Sequence, residues 1–206
     1  ENWALKPGVE RVGELLDAGA TARYAYDFRA RRRRAAAGDW RRASFRVEAL
    51  DVLVHLVRAV RVWFGDAVVF AATARLRDGI IVADVSLRHP QSEAGGRILL
   101  ELFDGAGPET CVFSATGGAD VSWDADARTV NGEPIAGDGW VAGGARAALR
   151  NALSSLTSRF ADPATCWEEG LRDCAVCFAA LGLEAGAPAM GLGPAAPARG
   201  LESGAP

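Results

Sequence analysis

The sequence predicts an α+β fold in which a large, mostly antiparallel open sheet carries its helices on one face. Short segments of alternating apolar and polar residues follow one another through the middle of the chain. Tight-turn dipeptides such as Asp78-Gly79 and Asp104-Gly105 separate these segments, and stretches with helical periodicity lie before and after them. Strands joined by tight turns pair antiparallel, so the helices are expected to cover one face of the sheet.

The first third of the chain predicts a helix, a strand and a second, longer helix. Residues 9–18 place apolar side chains at helical spacing, and residues 22–30 alternate aromatic and polar side chains as strands do. An arginine-rich connection follows, and its run 31–34 is interpreted as a solvated loop that could also bind an anionic group. Residues 47–64 then predict a long helix that is apolar on most of its circumference.

The middle of the chain predicts a series of strands joined by short turns. Six segments are assigned as strands, at residues 67–75, 79–88, 97–104, 109–116, 119–123 and 127–130. Hairpins are expected at Asp78-Gly79 and Asp104-Gly105, and Asn131-Gly132 predicts a further turn.

Two helices are expected to close the domain, at residues 145–160 and 166–182. The second should point one apolar stripe inward, formed by Leu171, Ala175, Phe178 and Leu181. The last residues are mainly Ala, Gly and Pro, a composition that predicts a disordered tail. The sequence therefore predicts one domain over residues 1–183 and a tail over 184–206.

Composition excludes several classes of protein. The 206 residues carry a net charge of -3, whereas nucleic-acid-binding domains usually have a basic excess. No apolar run is long enough for a membrane span and no secretory leader is visible, so a cytoplasmic location is expected. Four cysteines are too few for a disulfide scaffold. Cys174 and Cys177 lie within a helical pattern and are interpreted as small buried apolar residues, so no metal site is predicted.

No segment of the chain predicts a dinucleotide site. The G-x-G-x-x-G fingerprint is absent, and no strand is followed by a glycine-rich turn and a helix. We therefore expect that this chain alone does not hold NAD or NADP.

Asp51 and His55 are the most specific candidates for a catalytic pair. Their i, i+4 spacing places a carboxylate and an imidazole one turn apart on one face of the 47–64 helix. A histidine beside a carboxylate is suited to general acid–base catalysis on an alcohol. The alternative is a structural pair that satisfies a polar pocket in the core.

Trp40, Arg41 and Arg42 form a second candidate site just before the same helix. An aromatic ring beside guanidinium groups suits stacking and the binding of a phosphate or carboxylate. The alternative is a solvated pair of loop arginines in an arginine-rich sequence.

The order of these motifs resembles the Gfo/Idh/MocA oxidoreductases over residues 1–183. Glu1-Asn2-Trp3, then Pro7 and residues 14–19, resemble the segment that follows the Rossmann domain of that family. Trp40-Arg41 is similar to its Trp-Arg dipeptide, and Asp51-x-x-x-His55 to its D-x-x-x-H motif. Residues 152–181 resemble its closing pair of helices. In contrast, Val47-Glu48 replaces a usual Gly-Gly, and Arg58 stands where an Asp is common.

The resemblance implies a role for the chain in a larger enzyme. It implies a C-terminal domain like that of glyceraldehyde-3-phosphate dehydrogenase, which binds a sugar or polyol beside the nicotinamide and forms homo-oligomers. His55 would be the acid–base and would contact substrate, and Asp51 would orient His55 and also bind substrate. Trp40 would bind substrate as well, and Asn2 and Arg41 would contact the cofactor. NAD or NADP, and a lysine of a Glu-Lys-Pro motif, would come from a preceding Rossmann domain.

Two non-enzymatic hypotheses stay open beside this one. The chain could be a ligand-binding module without a cofactor domain, or a subunit that only assembles with copies of itself. For self-assembly we expect an apolar open sheet face, formed by Val85, Leu87, Leu100 and Leu102.

Overall fold

Alternating apolar and polar side chains along successive strands build one eight-stranded sheet in the part of the chain that is described. The computed structural model describes residues 7–17, 23–135 and 167–183. Its helices and strands are α1 (Pro7–Asp17), β1 (Ala25–Arg33), a 3-10 turn (Trp40–Ala43), α2 (Phe45–Phe64), β2 (Val68–Arg77), β3 (Ile80–His89), β4 (Ala94–Phe103), β5 (Thr110–Thr116), β6 (Val121–Asp124), β7 (Thr129–Val130), β8 (Glu133–Pro134) and α3 (Trp167–Leu181). The predicted helix 145–160 and the tail 184–206 lie outside the described residues.

The sheet is mostly antiparallel, in the order β2-β3-β4-β1-β5-β6-β7-β8. The one parallel pair among the described strands is β1 with β4. Apolar residues of α1, α2 and α3 join one core with the alternate residues of β1, β3, β4 and β5. The predicted α+β class, with a large open sheet and helices on one face, is confirmed.

Two of the three predicted turns join neighbouring strands, and the third does not. Asp78 and Gly79 both have positive φ in the two-residue turn between β2 and β3, as do Asn131 and Gly132 between β7 and β8. The hairpin predicted at Asp104-Gly105 is wrong, because β1 lies between β4 and β5.

Strand β1 takes this central place because it can pair on both edges and bury one face. Phe28 is paired with Ile98 of β4 on one side and with Phe113 of β5 on the other. Tyr26 and Phe28 point into the core, where Tyr26 stacks on Phe64 at the end of α2 with ring centroids 5.2 Å apart. Residues 104–109 therefore carry the chain past the end of β1 rather than around a hairpin.

The arginine run 31–34 is not the solvated loop that was expected, since β1 continues to Arg33. The strand can accommodate these side chains because an acidic residue lies within 4 Å of each of Arg31, Arg32 and Arg33. Arg32 donates to Asp126 at 3.0 Å, and the guanidinium of Arg31 lies 4.5 Å from the ring centre of Phe103. Arg34 follows the strand and is almost completely buried.

The four residues that were expected to form an open apolar sheet face lie instead on the face that packs against the helices. Val85, Leu87, Leu100 and Leu102 are all buried in the core that the sheet shares with the helices. The other face of the same strands carries an ion pair between Arg97 and Asp84 at 2.7 Å, beside the half-buried side chains of Val82 and Leu99. The prediction that these four residues form an open face is therefore wrong, because they point toward the helices. Self-association through the sheet stays a prediction.

The inward face of α3 also differs from the expected one. Leu171 and Phe178 are exposed, and only Leu181 of the predicted stripe is buried. The inner face instead carries Asp173 and Cys177. The helix is turned this way because α2 buries Arg58 and Arg61 at the contact, so α3 must present carboxylates to them.

Two findings on the described residues concern metals and membranes. Cys177 is buried and Cys174 is half-buried. The described residues contain no cluster of three or more metal-ligating side chains. Within the same ranges, no helix has the length and apolar character needed to cross a bilayer.

Candidate functional site

Asp51 and His55 lie on the outer face of α2, away from the sheet. Leu53 and Val60 lie on the opposite side of the helix and are completely buried. Asp51 is exposed and His55 is half-buried. Both side chains are accessible because helical periodicity turns them away from the core.

The carboxylate of Asp51 is held by Arg41 from the 3-10 turn. Arg41 Nη1 donates to Asp51 Oδ2 at 2.7 Å. The same guanidinium donates to both oxygens of Asp39, from Nε at 3.0 Å and from Nη2 at 2.7 Å. We call these three side chains the Asp39–Arg41–Asp51 clamp. It ties the turn before α2 to the second turn of that helix.

Asp39 also caps the 3-10 turn, since its Oδ1 accepts from the backbone N–H of Arg41 at 2.9 Å. Aspartate is a favoured residue at this position because its side chain satisfies a backbone donor. The Arg41 guanidinium and backbone N–H together lower the pKa of Asp39 to about 2. The two carboxylates in turn raise the pKa of Arg41. Asp39 and Arg41 are therefore ionised at neutral pH.

Trp40 stands beside the clamp and is 74% exposed. Its ring is available for stacking, and it is the most exposed large apolar side chain among the described residues. Arg41, by contrast, is already engaged with two carboxylates. Asn2, the other expected cofactor contact, lies outside the described residues.

A second ion-pair network lies next to the clamp and was missed from the sequence. Glu48, in the first turn of α2, is only 3% exposed and accepts from Arg34 Nη2 and from the backbone N–H of Ala35, both at 2.9 Å. Arg34 and Arg42 share Asp104. An acidic residue in the first turn of a helix is favoured by the helix dipole, but nothing near Glu48 in sequence identifies its buried partner.

His89, the second histidine of the chain, belongs to the core and not to this site. Its Nδ1 lies 3.0 Å from the carbonyl oxygen of Gly65, and its Nε2 lies 2.9 Å from the hydroxyl of Tyr26. A carbonyl can only accept, so Nδ1 carries the proton and Nε2 accepts from Tyr26. Burial lowers the pKa of His89 and raises the pKa of Tyr26. This geometry makes His89 a structural residue of the core.

The arrangement around Asp51 can accept hydrogen bonds and a proton from hydroxyl groups. A fixed carboxylate can accept from one hydroxyl while an imidazole one turn later accepts a proton from another. In the described residues, no strand leads through a glycine-rich turn to a helix N-terminus that could hold a pyrophosphate.

No protein-family model matches the chain, and no curated protein matches it in sequence. Solved structures do share its fold. A dehydrogenase from Chromobacterium violaceum superposes with a TM-score of 0.67 at 10% identity, over 89% of this chain and 60% of that one. A myo-inositol dehydrogenase from Corynebacterium glutamicum superposes with a TM-score of 0.64 at 13% identity, over 88% of this chain and 60% of that one.

A third structure adds a cofactor to the comparison. GenD2 from gentamicin A biosynthesis, solved in complex with NAD, has a TM-score of 0.64 and 13% identity, over 88% of this chain and 60% of that one. The chain thus spans about 60% of the length of these enzymes. At such identities the similarity shows a common fold.

Proposed function

We propose that this chain is the substrate-binding and oligomerisation part of an NAD(P)-dependent oxidoreductase of the Gfo/Idh/MocA family. It would act on a CH–OH group of a sugar, a polyol or a related compound. The observation that carries the proposal is the placement of Asp51 and His55 together on the outer face of α2. Their sheet domain shares its fold with part of known dehydrogenases, among them a myo-inositol dehydrogenase and an NAD complex.

In this proposal His55 acts as the general base and Asp51 binds the substrate. The imidazole of His55 accepts the proton of the hydroxyl group that is oxidised. Asp51 accepts a hydrogen bond from a neighbouring hydroxyl, and the exposed ring of Trp40 packs on the apolar face of the sugar or polyol. A nicotinamide held elsewhere in the parent protein would supply the hydride acceptor.

The proposal predicts a large effect of His55→Ala on catalysis and a small one on stability. The protein is expressed from its complete reading frame and assayed for NAD(P)-dependent oxidation of a panel of sugars and polyols. Loss of a general base lowers kcat by roughly 10²- to 10⁴-fold. Because His55 lies on the outer face of α2, Tm should change little.

Val62→Ala is the matched control for this experiment. Val62 is exposed farther along α2 and belongs to neither ion-pair network, so kcat should stay near the wild-type value. Turnover of every substrate at the wild-type rate in His55→Ala would contradict the proposal. So would a wild-type protein that oxidises no member of the panel with either cofactor.

A non-catalytic ligand-binding module is the second candidate. Two observations favour it. Glu48 stands at a position that is usually glycine in the family, and it forms a buried ion pair with Arg34. In addition, Arg41 already donates a hydrogen bond to one oxygen of Asp51. This candidate predicts saturable polyol binding in calorimetry without turnover. A strand followed by G-x-G-x-x-G and a helix in the coding sequence before Glu1 would favour the enzyme.

A further inference from the structure

We propose that Asp39 and Arg41 are positioning residues that fix the Asp51 carboxylate for a substrate hydroxyl, and that Arg41 is not a cofactor contact. The proposal rests on the proposed function, because it assigns a task to Asp51. It differs from what the family resemblance implies for Arg41. The argument starts from the hydrogen bonds of the clamp.

Asp39 holds the guanidinium of Arg41 in one orientation. Its two oxygens accept from Nε and Nη2, which is the bidentate geometry in which a planar guanidinium and a carboxylate match best. The backbone N–H of Arg41 donates to the same carboxylate, so the side chain and its own backbone are fixed together. This arrangement leaves Nη1 pointing toward α2.

Nη1 of Arg41 then fixes one oxygen of Asp51 and leaves the other accessible. The hydrogen bond at 2.7 Å goes to Oδ2. Within the described residues Oδ1 accepts no hydrogen bond, and the side chain of Asp51 is 48% exposed. A hydroxyl that approaches the outer face of α2 can therefore donate to Oδ1 of a carboxylate whose orientation is already set. Preorganisation of this kind strengthens binding because less side-chain freedom is lost when the ligand binds.

The charge of the clamp argues against a phosphate contact for Arg41. Two carboxylates surround one guanidinium, which leaves the three groups with a net charge of -1. A pyrophosphate or an anionic substrate would be repelled by Asp39 and Asp51, whereas a neutral hydroxyl donor would be attracted. The clamp thus favours an uncharged polyhydroxy ligand.

Arg42 lies in the same 3-10 turn as Arg41 but does not help to fix the Asp51 carboxylate. It follows Arg41 directly, yet it donates to Asp104 at 2.7 Å and has no contact with Asp51. Arg42→Ala therefore removes a guanidinium and an ion pair from the same turn without touching the clamp. It is the matched control.

The test variant is Asp39→Asn in the protein expressed from its complete reading frame. Asparagine keeps the cap on the 3-10 turn but cannot accept from both Nε and Nη2. We expect the KM for the polyol to rise roughly three- to tenfold, as for the loss of one ordered hydrogen bond, with kcat changed less. The KM for the cofactor should stay unchanged, and Arg41→Ala should show the same pattern. Arg42→Ala leaves the clamp intact and should not reproduce this pattern.

A double variant separates positioning from independent binding. If Asp39 acts through Asp51, adding Asp39→Asn to Asp51→Asn should raise the polyol KM no further than Asp51→Asn alone. A raised cofactor KM with an unchanged polyol KM in Arg41→Ala would overturn the proposal and assign Arg41 to the cofactor. Unchanged constants in both Asp39→Asn and Arg41→Ala would overturn it as well, while His55→Ala could still support the proposed function.

A measurement without turnover tests the clamp itself. In ¹⁵N-arginine spectra, the Nε–H of Arg41, assigned by its loss in Arg41→Lys, should exchange slowly with water in the wild type. It should exchange fast in Asp39→Asn and remain slow in Arg42→Ala. Fast exchange in the wild type would contradict a fixed guanidinium.

Discussion

Individual polar residues inside the core set how the stability of this protein depends on pH. His89 is completely buried between Tyr26 and Gly65, and its neutral form satisfies both partners. Protonation would place a charge in an apolar environment and remove the acceptor of the Tyr26 hydroxyl. The pKa of His89 is therefore lowered from its ordinary value of 6.5, with desolvation as the largest cause.

The lowered pKa predicts a loss of stability as the pH falls below about 6.5. In that range the unfolded chain binds a proton at residue 89 and the folded chain does not, so acid favours unfolding. Urea unfolding of the chain between pH 7 and about pH 5 measures this slope. Asp39, Asp66 and Asp84 have pKa values lowered from 3.8, so their contributions are lost only at more acidic pH.

His89→Gln should flatten the slope of the unfolding free energy against pH in this range. His55→Gln is the control, because it removes the other histidine from the outer face of α2 and should keep the slope that residue 89 produces. An unchanged slope in His89→Gln would show that His89 is not the group responsible.

At the scale of the element, the packing of α3 is determined by charge as much as by apolar area. Arg61 donates to Asp173, to Glu169 and to Asp66, and its side chain is 4% exposed. Asp173 is completely buried. Buried charges are tolerated only when they are paired, so α2 and α3 can meet only with these side chains in contact.

Asp173→Ala should destabilise the domain by about 3–5 kcal/mol, as for the removal of one partner from a buried ion pair. The cost arises because Arg61 and Arg58 lose a carboxylate in a place that water does not reach. Chemical denaturation of the chain measures it.

Arg172→Ala, one residue away, is the control for Asp173→Ala. Its ion pair with Glu169 is exposed on the outer side of α3, and such pairs contribute about 0–1 kcal/mol. A similar loss in both variants would contradict the assignment of Asp173 as a buried partner.

At the scale of the whole molecule, the described residues form a sheet domain that spans about 60% of the dehydrogenases that share its fold. The helices cover one face of the sheet, and the other face carries both charged and apolar side chains, among them Arg97, Asp84, Leu99 and Val112. The outer surface of α2, with Asp51, His55 and the clamp, is where a further part of a larger enzyme would complete a site under the proposed function. Self-association stays a prediction, and it would have to use a surface other than the buried apolar face.

The whole-molecule prediction is that the 206-residue chain alone does not bind NAD(H) or NADP(H) with useful affinity. Arg41 is engaged with Asp39 and Asp51, and no described helix N-terminus follows a glycine-rich turn. Calorimetric titration with each cofactor should give no saturable heat. Binding in the micromolar range would contradict the prediction.

The sequence by itself determined the class of fold, most element positions and the shared helix face of the candidate pair. Helical periodicity placed α2 at 47–64, against the observed Phe45–Phe64, and turn chemistry placed the β2–β3 hairpin at Asp78-Gly79. These features depend on residues only a few positions apart, so they can be predicted from local patterns in the sequence. The i, i+4 relation of Asp51 and His55 is of the same kind.

Only the tertiary structure decided which distant segments meet. The insertion of β1 between β4 and β5, the rotation of α3 toward Arg61 and the pairing of Glu48 with Arg34 each join residues that no local pattern connects. The clamp is the clearest case. The similarity of Trp40-Arg41 to a dipeptide of the Gfo/Idh/MocA family implied a cofactor contact for Arg41, whereas its guanidinium donates to Asp39 and Asp51. Burial and charge balance in the folded chain determine such pairs, because a buried charge is stable only when an opposite charge lies next to it.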